Sequence, residues 1–287
     1  MASAADVRAL AQTRVRWELL ANLVRKDLKV KYKNSALGFA WSLANPLLYL
    51  AVFSVVFGGF LLKGGIPNFA VYLMSGLLVW NFFATGTMGA TGAVTGSANL
   101  VKKVRFPRIV LPLASVGFAA VHFVLQLGVL FAVLLLIYRA AFGPQLWLLL
   151  PALAVAVAFT VGMSLLASSL NVRYRDVEHL LEIALLAWFW LTPIVYPLAL
   201  VRGRLEPKGL FWLYMANPMT SVVAAMQRAI YRYATPLVDG QPVKVLADPG
   251  YAFYLRWLGV AGAVSLLLIA IGLVTFKRLE ADFAEEL

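Results

Sequence analysis

The chain has 287 residues, 62% of them hydrophobic and only 13% charged, with a formal net charge of +12 and no cysteine. That apolar share exceeds what one soluble core of this length requires, and the missing thiols exclude disulfides, thiolate metal sites and cysteine nucleophiles. The basic residues sit in short segments beside the apolar runs, where Lys and Arg set topology and meet anionic headgroups. The charge therefore argues for membrane lipid and against nucleic acid.

Residues 1–37 form a polar-rich lead carrying eight basic side chains: Arg8, Arg14, Arg16, Arg25, Lys26, Lys29, Lys31 and Lys33. The first apolar run begins too late, and runs too long, for a cleavable signal peptide. Within 17–33 the spacing predicts an amphipathic helix. Trp17, Leu20, Ala21, Val24 and Leu28 share one face, Glu18, Asn22, Arg25, Lys26, Lys29 and Lys33 lie opposite, and Leu19 and Leu23 spoil the stripe. Such a helix is expected in the headgroup layer, or else packed on a partner protein.

Six long apolar stretches follow, near 38–62, 69–94, 109–137, 146–170, 180–201 and 256–276. Each is roughly 20–29 residues, and about 20 helical residues cross a bilayer core. The expected fold is all-α and polytopic: a lead over 1–37, a six-span domain over 38–276 and a tail over 277–287. Lys102, Lys103, Arg105 and Arg108 follow the second span, Arg173 and Arg175 the fourth, and Lys277 and Arg278 the sixth. The two short links on the other side offer only Lys63 and Arg139. This asymmetry predicts cytoplasmic termini, although the long external link 202–255 is basic too.

Two features interrupt the spans. Gly92 and Gly96 form a small-xxx-small pair, read as close helix packing or as a joint. Thr192-Pro193-Ile194-Val195-Tyr196-Pro197 cannot stay regularly helical, because each proline removes a donor and clashes with the preceding turn. In the external link, Asn217 and Pro218 read as an N-cap and first helical position. Met219, Val222, Val223, Met226 and Ile230 then recur at helical spacing, with Ser221, Arg228 and Arg232 off that stripe. The piece is too short to span, so a re-entrant hairpin over about 207–235 is expected.

No Gly-x-x-x-x-Gly-Lys-Ser/Thr phosphate loop occurs. His122 and His179 are too isolated for a metal site. His122, with Gln126 one turn on, falls mid-span, where an ionisable residue marks a pathway or a helix–helix hydrogen bond. Asp176, Glu178 and Glu182 flank Arg173 and Arg175 and read as a docking surface rather than acid–base chemistry. No acidic residue sits deep inside a span, Glu182 falling at the edge of the fifth, which argues against a proton- or sodium-coupled carrier. Among the aromatics, Tyr49, Trp80, Phe83 and Trp188 are candidates to line a sugar pathway, against anchoring or packing.

Several motifs together resemble the membrane (permease) subunit of a type-2 ABC exporter, the polysaccharide, O-antigen and teichoic-acid export family (Wzm-like). They are Leu28-Lys29-Val30-Lys31-Tyr32-Lys33-Asn34-Ser35-Ala36-Leu37-Gly38 with Trp41 and Asn45-Pro46-Leu47, and Asn99 to Arg108 with Leu111-Pro112. Asn171-Val172-Arg173-Tyr174-Arg175-Asp176-Val177, the Thr192–Pro197 run, and Asn217-Pro218 with Arg228 complete the set. The likeness runs in order from about residue 20 to 276. The resemblance implies a homodimer in a bacterial cytoplasmic membrane, exporting a lipid-linked glycan. Separate ATPase subunits would hold the ATP and magnesium, with no cofactor on this chain. It implies ATPase contacts at Lys102, Lys103, Arg105, Arg108, Arg173, Arg175, Asp176 and Glu178. It implies an outer gate at Asn217, Pro218, Met226 and Arg228, with Tyr49, Trp80, Phe83, His122 and Trp188 as pathway candidates. The alternatives are a drug or small-molecule exporter permease and a membrane-embedded lipid-linked glycosyltransferase.

Overall fold

The computed structural model describes residues 4–33, 40–55, 66, 68–104, 106–139, 142–231, 237–238, 241–242 and 249–287. The helices in chain order are α1 Ala4–Tyr32, α2 Ala40–Val55, α3 Phe69–Thr91, α4 Ala98–Lys103, α5 Val110–Leu136, α6 Leu149–Arg173 and α7 Val177–Leu191. They continue with α8 Leu198–Leu205, α9 Phe211–Met215, α10 Pro218–Ile230, α11 Tyr251–Leu279 and α12 Phe283–Glu286. A two-residue antiparallel pair, Leu237–Val238 with Gln241–Pro242, lies in the link before α11.

Among the described residues four helices are long and apolar enough to cross a bilayer: Phe69–Thr91, Val110–Leu136, Pro144–Arg173 (α6 with its leading 3-10 turn) and Tyr251–Leu279. The other two expected spans are shorter. In α2 the helix covers 16 residues, with Pro46 inside it, and the rest of the 38–62 stretch lies outside the described residues. At α7 the helix covers 15 residues, about 22 Å at 1.5 Å per residue and short of the roughly 30 Å core. It stops at Leu191 because Pro193 lacks the donor to continue it.

Contacts between helices fix their directions. Phe82 meets Phe123, Gly86 lies by Ala119 and Gly89 by Ser115, so α3 and α5 are antiparallel. The Trp147 ring lies 5.7 Å from that of Tyr251, Val155 faces Gly262, Gly162 faces Ile269, and Gly272 lies against the Gly162 carbonyl. Helices α6 and α11 are therefore parallel, and theirs is the most extensive helix pair in the molecule. A Cβ on Gly162 would lie 2.9 Å from the Ile269 nitrogen, and one on Gly272 2.9 Å from the Gly162 oxygen. Only glycine permits that approach.

The small-xxx-small expectation at Gly92 and Gly96 is thereby corrected. Helix α3 ends at Thr91, Gly92 is its C-cap, and nothing lies within 4 Å of a Cβ on Gly96. The tight crossing falls instead at Gly162 and Gly272, whose spacing in sequence is too wide to register as a pair. The amphipathic stripe of α1 is also rotated from its expected position. Leu19, Leu20, Leu23, Val24 and Leu28 are half-buried, whereas Trp17 is 66% exposed and Ala21 is exposed. The helix packs along α5, with Val24 against Gly117, so α5 sets the buried face.

Candidate functional site

The ends of α3, α6 and α11 and the start of α5 gather at one end of the bundle. A satellite core of Val94, Val101, Leu111, Val172, Phe276 and Phe283 holds the links there together. Asn171 is the joint between two of them: its amide donates to the Thr91 carbonyl at 3.1 Å, and its oxygen accepts from the Glu178 backbone N–H at 3.2 Å. The turn 173–176 therefore projects from a fixed base, with Arg173, Arg175, Asp176 and Glu178 all exposed. Arg175 and Glu178 line a recess of ≈ 210 Å³ with Thr95, Ala98, Asn171 and Leu287. Lys102 and Lys103 are exposed on the last turn of α4. Arg105 lies outside the described residues. Arg108 departs from the expectation of a free contact: its guanidinium donates to the Glu280 carbonyl, and its backbone N–H to a Glu280 carboxylate oxygen at 3.3 Å. It fastens the start of α5 to the end of α11.

The opposite end carries α8, α9 and α10. Asn217 caps α10, its side-chain oxygen accepting from the Met219 N–H at 3.1 Å, and Pro218 opens the helix. Every residue of α10 is buried, because it is wedged against α3, α6 and α11. Arg228, placed off the apolar stripe from the sequence, is only 6% exposed, and Met226 is wholly buried. The gate candidates thus belong to a core helix of the subunit. Gly76 of α3 makes room for it: a Cβ there would sit 2.9 Å from Val223.

Helix α10 also resolves the proline break after α7. Two carbonyls left without helical donors, those of Pro193 and Ile194, accept from the Gln227 amide at 2.9 and 3.4 Å. The Tyr72 hydroxyl of α3 donates to the Tyr196 carbonyl at 2.9 Å, and the Tyr196 hydroxyl donates to the Trp190 carbonyl at 2.7 Å. Buried irregular backbone persists only when its polar groups are satisfied in this way. The hydrogen-bonding roles of Gln227 and Tyr72 do not follow from the sequence, where Gln227 carries no motif and Tyr72 reads only as one of many aromatic anchors or packing residues.

The five pathway candidates separate into two groups. Trp80, Phe83 and Trp188 come together with Phe159 and Phe189 in one cluster with ring centroids 5.2–5.8 Å apart. Phe83 is wholly buried and Trp80 is 5% exposed. These two pack α3 on α6 and α7. Tyr49 and His122 line a different place, a polar recess of ≈ 240 Å³ between the end of α1 and helices α2, α3 and α5. His122 is buried, 3.4 Å from the Tyr32 hydroxyl and edge-on to Phe118.

A family model described as "ABC-2 type transporter" matches residues 18–231, from α1 through α10. The chain belongs to the ABC-2 type transporter family. Three curated relatives extend the likeness over nearly the whole chain. The O-antigen export system permease protein RfbA of Myxococcus xanthus is 32% identical over 285 residues, 98% of each protein. Two proteins of the same name from Klebsiella pneumoniae are 31% identical over 272 residues and 29% over 270, each covering 94% of this chain and 95% of the relative. The bundle is thus the membrane component of an ABC transporter, a family whose transport is driven by a partner ATPase.

Proposed function

We propose that the chain is the permease subunit of an exporter that carries a lipid-linked polysaccharide of the O-antigen type outward across the bacterial cytoplasmic membrane. The near end-to-end similarity to O-antigen export permeases supports the cargo. ATP and magnesium are held by the partner ATPase. The basic end faces the cytoplasm, as the positive-inside rule requires, and both termini lie there. The permease works as a homodimer. The exposed apolar side chains of α7, Leu180, Ile183, Leu186 and Trp190, and those of α2, Leu48 and Val52, suit a second copy or lipid.

One observation carries the coupling: links some seventy residues apart, 95–103 and 171–178, meet at the same exposed, charged end over a fixed Asn171 joint. Arg173 and Arg175 followed by Asp176 and Glu178 set two cations beside two anions, as suits a complementary pocket on a moving partner. Asp176→Lys with Glu178→Lys should weaken co-purification of the ATPase, or leave ATP hydrolysis running without export. Normal association together with normal export would remove the 171–178 link from the coupling surface.

A further inference from the structure

The recess at the end of α1 has a donor-rich chemistry that packing does not explain. Its ten lining residues include Lys31, Tyr32, Tyr49, Asn81, His122 and Gln126, and none of the ten is acidic. The half-buried Asn81 and Gln126 amides line the recess and make no hydrogen bond to another described residue, which leaves their donors available to a ligand. The Lys31 ammonium is carried over the Phe118 ring, 5.2 Å from its centroid, towards His122. Burial lowers the pKa of Lys31 from its ordinary value; a bound anion would oppose that shift. Lys31, Tyr49 and Thr85 are exposed at the rim, and Val124 beside them on α5 is 63% exposed. The recess therefore opens at the side of the subunit, beside α2 and α5, rather than into the bundle.

The geometry points to a binding site for the phosphate of a lipid headgroup, with Lys31 supplying the charge and Asn81 and Gln126 donating to its oxygens. A phosphate accepts several charge-assisted hydrogen bonds at once, and the volume leaves room for a second phosphate or the first sugar. The same chemistry is offered by a polyprenyl phosphate and by an ordinary anionic phospholipid. The inference rests on the export reading only for the first of these sources.

Native mass spectrometry of the purified chain, with no ATP or ATPase present, measures retained lipid directly. Four probes are offered: a polyprenyl phosphate, the matching polyprenol, phosphatidylglycerol and inorganic pyrophosphate. Polyprenyl phosphate should be retained roughly ten-fold better than polyprenol, pyrophosphate should displace it, and Lys31→Gln or Gln126→Leu should abolish the difference, as expected for one or two charge-assisted hydrogen bonds. Retention of phosphatidylglycerol to the same degree assigns the site to membrane phospholipid; preference for the polyprenyl phosphate assigns it to the transported carrier. Both outcomes support a phosphate site. Equal retention of polyprenol and its phosphate, or retention unchanged in both variants while thermal unfolding stays that of the parent, overturns it. Because no transport is measured, that failure would leave the export reading standing.

Discussion

At the residue scale, the polar side chains inside the bundle mostly repair irregular backbone. Gln227 is the clearest case, since one amide serves the carbonyls of both Pro193 and Ile194. Gln227→Leu keeps the volume and strands those acceptors, which should cost about 1–3 kcal/mol, read as a fall in thermal unfolding temperature in detergent. An unchanged unfolding temperature would mean that water or lipid serves the break. Asn171 plays the same part at the other end, and Asn171→Leu should loosen the 173–178 turn and weaken ATPase association without touching any exposed charge. The cap at Asn217 and the proline break were legible beforehand because both obey local backbone rules. Gln227 and Tyr72 were not, because their partners are carbonyls distant in sequence, and no spacing encodes that.

At the element scale, periodicity located the helices well and their buried faces poorly. The stripe expected on α1 was centred by hydrophobicity, yet Leu19 and Leu23 are half-buried beside Val24, which faces Gly117 of α5, while Trp17 is exposed. Helix α10 shows a stronger version. Its single apolar stripe suggested one dry face, but three neighbouring helices bury it on all sides, Arg228 included. Because the chain has no cysteine, labelling can test this without background. Lys208→Cys, at an exposed site before α9, should react with an impermeant thiol reagent outside intact cells, whereas Arg228→Cys should stay largely unlabelled. Equal rates would place α10 at the surface; reaction of Lys208→Cys only from the cytoplasm would invert the topology. The α6–α11 crossing offers a packing test. Gly162→Leu forces side-chain atoms into the Leu268–Ile269 backbone and should cost several kcal/mol or abolish folding, while Gly96→Ala, with open space around it, should be close to neutral.

For the whole molecule, charge asymmetry foretold the arrangement better than any single motif. Basic links dispersed through the sequence converge on one end, the short helices α8, α9 and α10 occupy the other, and the ordered motifs identified the family before any contact was known. One expected span falls short as a helix for a physical reason, because Pro193 ends it; the other lies partly outside the described residues. The central claim is that this subunit provides the path and another protein the energy. Reconstituting the chain in lipid vesicles with and without its candidate ATPase, then measuring ATP turnover and movement of lipid-linked glycan together, tests that claim most directly. The account predicts no hydrolysis and no transport by the chain alone, and both, coupled, once the ATPase is added. Hydrolysis by the purified chain, or glycan export without the ATPase, would contradict it.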